Sequence, residues 1–430
     1  MSYFSNWMPL HKVGFRFTTS LFTLFIFPFP FNYIPPFSLI FEYYTQFIGF
    51  LTQQVGKHIL GIDQILNKTA TGSGDQLYNW INAFTYLLLA LLITLIWTVL
   101  DRKRPSYRVF FKWFLLFISY YLVVQMLIYG LIKVFYVQFP PLTLEQLFQT
   151  YGYSSPMRLM WTFMGASHSY NLFAGGVEIL AAGLLIFRKT RALGGFVTFG
   201  VMLNVFVMNM SYDVPVKLFS FQYMLMGLLL GLADYRRLWA VFAQSKTEIP
   251  ATVYQPVFQK RRNRNLLIAF QALLVVFLAT IQIWSGTTAQ KKYGVNRPKP
   301  ALYGIYNVTR FIKNGQSIAP LATDTTCWKR LLIDYPQWVS VMGMNDDFRR
   351  YTVKTDTVKK QMVFSTRKDT VNKYAMRYEQ LGKDLKLTGI LQGDTLAITF
   401  KHYPLQNFTL LNRGFHWVSP VPYNEYKGSY

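Results

Sequence analysis

The sequence predicts an all-α polytopic membrane helix bundle of about seven transmembrane helices, followed by a C-terminal soluble β-rich domain, a barrel or a sandwich. Three observations predict it. Of the 430 residues, 52% are hydrophobic and only 15% charged, which is lean in charge for a water-soluble chain. Up to about Ser285 the apolar residues come in long runs broken by short basic clusters, whereas from Gly286 to Tyr430 they come singly or alternate with polar residues. The basic clusters fall between alternate runs, as the positive-inside rule requires.

The first span, 13–31, includes Arg16 and is interrupted by Pro28 and Pro30. With His11, Lys12 and Arg16 before the aromatic apolar run 17–31, the N-terminus resembles a signal peptide, but it lacks a small-residue cleavage site and runs into Pro35 and Pro36, so an uncleaved helix is expected. Spans 80–100, 109–137, 159–187, 192–210, the short 218–233 and 266–284 follow, each near the length that crosses about 30 Å of hydrocarbon. Arg102, Lys103, Arg104 and Arg108, then Arg188, Lys189 and Arg191, then Arg236, Arg237, Lys260, Arg261, Arg262 and Arg264 occupy one set of connections. The opposite set, 34–79, 138–156 and 211–216, holds only Lys57 and Lys68. This predicts a bacterial inner-membrane protein with a cytoplasmic N-terminus and, the number of helices being odd, a periplasmic C-terminal domain.

The transmembrane domain is thus 1–285, with a linker at 286–300 and the β-rich domain at 301–430. Two alternating runs, 385–391 and 395–400, flank Gln392-Gly-Asp394 and predict a hairpin. Further strands are expected at 338–342, 350–354, 361–365 and 373–378, an even spacing that suits a small antiparallel barrel or sandwich.

A formal net charge of +25 would suit nucleic acid, but the basic residues flank apolar spans, so the partner they point to is the bilayer. Cys327 is the single cysteine. The chain therefore has no intramolecular disulfide, no Cys-x-x-Cys pair, no covalent haem attachment and no thiolate metal cluster. No group of residues has zinc-ligand spacing, including His416 and the pair Asp346-Asp347. Nucleotide-binding and serine-hydrolase motifs are missing as well.

The block from Phe163 to Leu238 carries Phe173-Ala-Gly-Gly-Val-Glu178, Arg188-Lys-Thr-Arg191, Gly194-Gly195, Asn204, Asn209 and Tyr212-Asp-Val-Pro-Val-Lys217. It resembles the DoxX-like membrane proteins, four-helix modules in which a small-residue-rich helix carries a glutamate, here about 158–238. More loosely it is similar to the HTTM helices of vitamin K-dependent carboxylases. With Asp324-Thr-Thr-Cys-Trp-Lys-Arg-Leu331 and Arg413-Gly-Phe-His-Trp417, the whole chain resembles the long DoxX-type proteins of the Bacteroidota, which append an exported domain. The resemblance implies a link to quinone-dependent or thiol-dependent redox complexes. The lack of paired cysteines lowers the thiol option.

Glu178 is the residue most suited to chemistry. It stands ten positions before Arg188, about 15 Å from the helix end and near the bilayer midplane, where a carboxylate must be protonated, paired or hydrated. It is either a proton relay or a hydrogen-bonded tie between helices. Asn171 shares its face and His168 extends the stripe outward. Gly165, Gly175 and Gly176 allow a neighbouring backbone or a flat ligand ring to approach. Asn204, Asn209 and Gln222, with Gln125 and Gln282, line a funnel if they converge with Glu178 and make separate interhelical bonds if they do not. Lys217 is expected to pair with Asp213, or, with Arg158, to bind an anionic group at the funnel mouth.

Two functions follow. In the first, the bundle is a redox accessory that holds a quinone, with Glu178 and His168 handling protons and a partner subunit supplying electrons. In the second, the helices anchor a β-domain that binds envelope proteins or glycans. Transport is disfavoured, since no inverted repeat is visible.

Overall fold

The computed structural model describes residues 7–29, 37–64, 74–233, 235, 239–240, 243–245, 258, 260–366 and 372–418. Pro30, Phe31, Pro35, Pro36, Lys68, Arg236 and Arg237, used in the topology reading, lie outside these residues. The chain divides into two compact units: Met1–Phe139 with Ser155–Trp161 and Ser167–Gln290, and Pro140–Ser154 with Thr162–Ala166 and Lys291–Tyr430.

The first unit is helical. The helices are α1 (Pro9–Ile26), α2 (Phe37–His58), α3 (Leu77–Leu100), α4 (Arg108–Val134), α5 (Pro156–Ala166), α6 (His168–Ile186), α7 (Arg191–Ser211), α8 (Lys217–Leu232) and α9 (Arg261–Lys292), with the last five residues of α5 and the last two of α9 counted in the second unit. Five of them, α3, α4, α6, α7 and α9, are long and apolar enough to cross a membrane, and α8 is a shorter apolar helix. The protein is membrane-embedded. Each of the seven expected spans coincides with helix among the described residues, but α1 ends at Ile26, carries His11, Lys12 and Arg16 and is not among the five.

The helices differ from the expected spans in three places. The run 159–187 is two helices, because Ser167 adopts an extended conformation and its side chain caps α6 by accepting from the Tyr170 N–H at 3.2 Å. Helix α2 was read as loop. Helix α9 continues through the first part of the expected linker to Lys292.

Small residues set the closest approaches. A Cβ on Gly175 would lie 2.5 Å from the Gly130 carbonyl oxygen, and one on Gly130 would lie 2.8 Å from the Gly175 oxygen. The backbones of α4 and α6 therefore touch at this crossing, as small residues permit in membranes. Gly176 faces open space, and Gly165, which belongs to α5, lies against the Pro140 carbonyl.

Two basic residues near the helix ends have structural partners. Arg16, 2% exposed, donates to the Tyr107 hydroxyl, to Thr98 Oγ1 and to the Asp101 carbonyl at 2.9–3.0 Å. Arg191 donates to the Leu185 and Ile186 carbonyls, capping the C-terminus of α6.

Among its described residues the second unit contains nine strands: β1 (Gly304–Lys313), β2 (Gln316–Ser317), β3 (Trp328–Tyr335), β4 (Trp338–Gly343), β5 (Phe348–Asp356), β6 (Gln361–Thr366), β7 (Tyr374–Leu381), β8 (Asp384–Leu391) and β9 (Asp394–Tyr403). A short helix, α10 (Thr409–Asn412), follows. Each long strand pairs antiparallel with the next, and β9 pairs with β1, so eight strands close into a barrel while β2 extends one end of β1. The expected hairpin is β8–β9, turned by Gln392 and Gly393, both at positive φ.

Eight strands enclose a bore just wide enough for side chains to fill. Phe311, Trp328, Leu331, Val341, Phe364, Leu387, Ile398 and Phe400 fill it. On the outside, Ile305 and Leu332 are covered by Leu144, Leu147 and Phe148 from the 140–154 segment and by Leu405 and Phe408. That segment, read as a bare connection in the sequence, is part of the barrel unit.

The segment is held by polar groups too. The Leu144 N–H donates to Asp334 Oδ2 at 2.9 Å, and Arg297 pairs with the other oxygen of this buried carboxylate. Arg350 pairs with Glu145. The rings of Tyr335 and Trp338 stack at 4.5 Å, with the Arg297 guanidinium 3.8 Å from the first ring and that of Arg350 5.3 Å from the second. Arg330 lies 4.4 Å from the Phe148 ring and donates to Asn307 Oδ1.

Candidate functional site

Glu178 is 1% exposed. It stands ten residues after His168 and eight before Ile186, so it is near the middle of α6. Both its oxygens lie 2.8 Å from the Lys133 ammonium. Lys133, in the last turn of α4 and 6% exposed, was not singled out from the sequence. Its aliphatic stem runs back toward the N-terminus of its helix, as helical side chains do, which brings the ammonium 5.7 Å from the centroid of the Tyr129 ring.

A signal for Lys133 was available. Between Lys112 and Val137 it is the sole charged residue in an apolar run, and an intramembrane cation calls for an anion on a facing helix. One turn along from the pair, in each helix, lies the Gly130–Gly175 crossing. The ion pair and the backbone contact thus hold the same two helices.

The other expected site residues are dispersed. Asn171 is fully buried on the Glu178 face, and its Nδ2 donates to the Ser167 carbonyl at 3.0 Å, so it serves the first turn of α6. His168 is exposed and stacks on Tyr136 at 4.7 Å. Asn209 donates to Ser220 Oγ at 3.0 Å and to the Val216 carbonyl at 3.3 Å, tying α7 to α8. Asn204 is exposed, with its amide 3.6 Å from Met208 Sδ on its own helix. Gln222 is half-buried and Arg158 is exposed.

Lys217 Nζ lies 2.9 Å from Asp213 Oδ1. The backbone N–H groups of Lys217 and Leu218 donate to the two oxygens of Asp75, a carboxylate from a distant loop. Asp75 therefore caps α8 where its own N-cap residue, Val216, cannot. No spacing rule connects residues 75 and 217.

On the barrel unit, Tyr303, Lys383, Asp384, His402, Leu405 and Gln406 line an open cleft of about 430 Å³. Asp384 Oδ1 accepts from the His402 backbone N–H at 2.9 Å. Among the described residues no group of three or more His, Cys, Asp or Glu side chains is placed to hold a metal ion.

No family model matches the chain, and no solved structure matches it. Over 125 residues it is 36% identical to the uncharacterised protein YwoB of Bacillus subtilis (strain 168), an alignment that takes in 29% of this chain and 79% of that protein. The chain belongs to the family that includes YwoB.

Proposed function

We propose that the chain is a DoxX-like inner-membrane protein of the long Bacteroidota type, and that its helices anchor the barrel on the periplasmic side and present it to envelope proteins or glycans. The observation that carries this reading is the closed state of the one intramembrane carboxylate singled out by the sequence. Both Glu178 oxygens are engaged by Lys133 where the α4 and α6 backbones touch, the arrangement of a tie. The barrel offers the exposed surface, with the cleft near His402 as room for a ligand.

The placement is supported by charge and by the barrel unit itself. The segment after α4 and the barrel after α9 belong to one compact unit, which supports reading both on one side. The described basic residues Arg102, Lys103, Arg104, Arg188, Lys189 and Arg191 flank the opposite helix ends. The DoxX-like reading rests on the glutamate of α6 and the glycines around it.

The test is the double variant Lys133→Met with Glu178→Met, assayed for accumulation and for complementation of a deletion strain. Replacing both partners of a buried pair by apolar side chains is often neutral. An anchor then accumulates and complements. Normal accumulation without complementation, together with a quinone in the organic extract of the purified wild-type protein, would instead support the quinone-linked reading, in which the pair handles protons.

A further inference from the structure

The C-terminal segment 409–418 was not absorbed by the reading above. It starts from a fixed point, since the Phe408 ring packs against Phe148 at 5.2 Å and Tyr403 at 5.6 Å. Beyond it, Leu410 is 60% exposed, Phe415 82%, Trp417 89% and Val418 78%. Phe415 and Trp417 meet edge to face at 5.7 Å, so the exposed rings form one patch. Contiguous exposed apolar surface of this kind marks an interaction site.

The composition around the patch identifies what covers it. From Thr395 to Asn424 the sequence has no Asp or Glu, but it has Lys401, Arg413 and the two histidines His402 and His416. Tryptophan and phenylalanine beside arginine, in a stretch of sequence without acidic residues, suit the headgroup level of a bilayer, where aromatic rings and cations both find partners. The chain is membrane-embedded, which keeps a lipid surface at high effective concentration. We propose that the 409–418 segment is a lipid-contact element, with Phe415 and Trp417 entering the interface of an anionic bilayer and Arg413 facing its headgroups.

The test uses the full chain in nanodiscs containing phosphatidylglycerol, with a nitroxide at Val418→Cys, which leaves Phe415 and Trp417 intact. Cys327 is buried, so the reagent labels the introduced thiol. The reference is Val358→Cys, at a turn position 91% exposed. The expected result is an oxygen-to-nickel-chelate collision ratio several-fold higher at 418 than at 358, falling to the reference when Phe415→Ser and Trp417→Ser are added. Equal ratios at the two positions would overturn the proposal and direct attention to a protein partner. A high ratio at 418 that survives loss of both rings would overturn it as well.

Discussion

The ammonium of Lys133 stands 2.8 Å from each carboxylate oxygen of Glu178, inside a helix pair whose backbones touch one turn away. The two charges are taken out of lipid together. Removing either one leaves the other buried and unpaired, which costs about 3–5 kcal/mol in such settings. Glu178→Gln and Lys133→Met are therefore each expected to lower the thermal midpoint of the detergent-purified protein sharply. The double variant Lys133→Met with Glu178→Met should return close to wild type, and non-additivity in this cycle is the measurement.

The glycine crossing makes a second prediction with an internal control. Gly175→Ala drives a methyl toward the Gly130 carbonyl and should cost about 1–3 kcal/mol of stability. Gly176→Ala, one residue on, meets nothing within 4 Å and gains helix propensity of about 1 kcal/mol. Fluorescence-detected size-exclusion chromatography after heating should show Gly175→Ala aggregating earlier than wild type and Gly176→Ala no earlier.

The barrel unit depends on residues outside the C-terminal third of the chain. Leu144, 2% exposed, packs on Ile305 and Leu332, and truncating a buried leucine costs about 2–5 kcal/mol. A fragment starting near Tyr293, a natural cut from sequence alone, leaves Ile305 and Leu332 uncovered. Fusing 140–154 to that fragment through a flexible linker should raise its urea midpoint by circular dichroism, and Leu144→Ala should cancel the gain.

Acid sensitivity should have an identifiable contributor at Asp324. Its carboxylate accepts from the Thr326 N–H at 2.6 Å, from the Thr326 hydroxyl at 2.8 Å and from the Cys327 N–H at 3.1 Å. These bonds, the Thr326 amide first, hold its carboxyl below the usual range. The folded state thus binds this proton less readily than the unfolded one. The contribution is present above the ordinary aspartate pKa and is lost as pH falls through the lowered value. Melting curves between about pH 5 and pH 3 should fall more steeply for wild type than for Asp324→Asn.

Topology has a direct readout. Alkaline phosphatase fused after Tyr430 should be active, and the same reporter placed within 246–264 should be silent, because the positive-inside rule assigns a segment with Lys260, Arg261, Arg262 and Arg264 to the cytoplasmic side. The reverse pattern would invert the assignment of sides.

By itself the sequence determined the elements whose environment is uniform along their length. Apolar runs read as helices because lipid surrounds them; the 18-residue apolar window of α9 has none of its residues buried against protein. Strands β5 to β9 alternated visibly because one face meets the filled bore and the other meets water. Strands β1 and β3 did not, because the outside face that carries Ile305 and Leu332 is covered as well, and a strand buried on both faces loses its period of two. The candidate site divides in the same way. Glu178 was legible as a carboxylate at mid-membrane depth, since depth follows from residue counting. Its pairing with Lys133, the touching of Gly130 and Gly175, and the capping of α8 by Asp75 were decided only in three dimensions. Each joins residues on separate elements, and no local periodicity records which helix faces which.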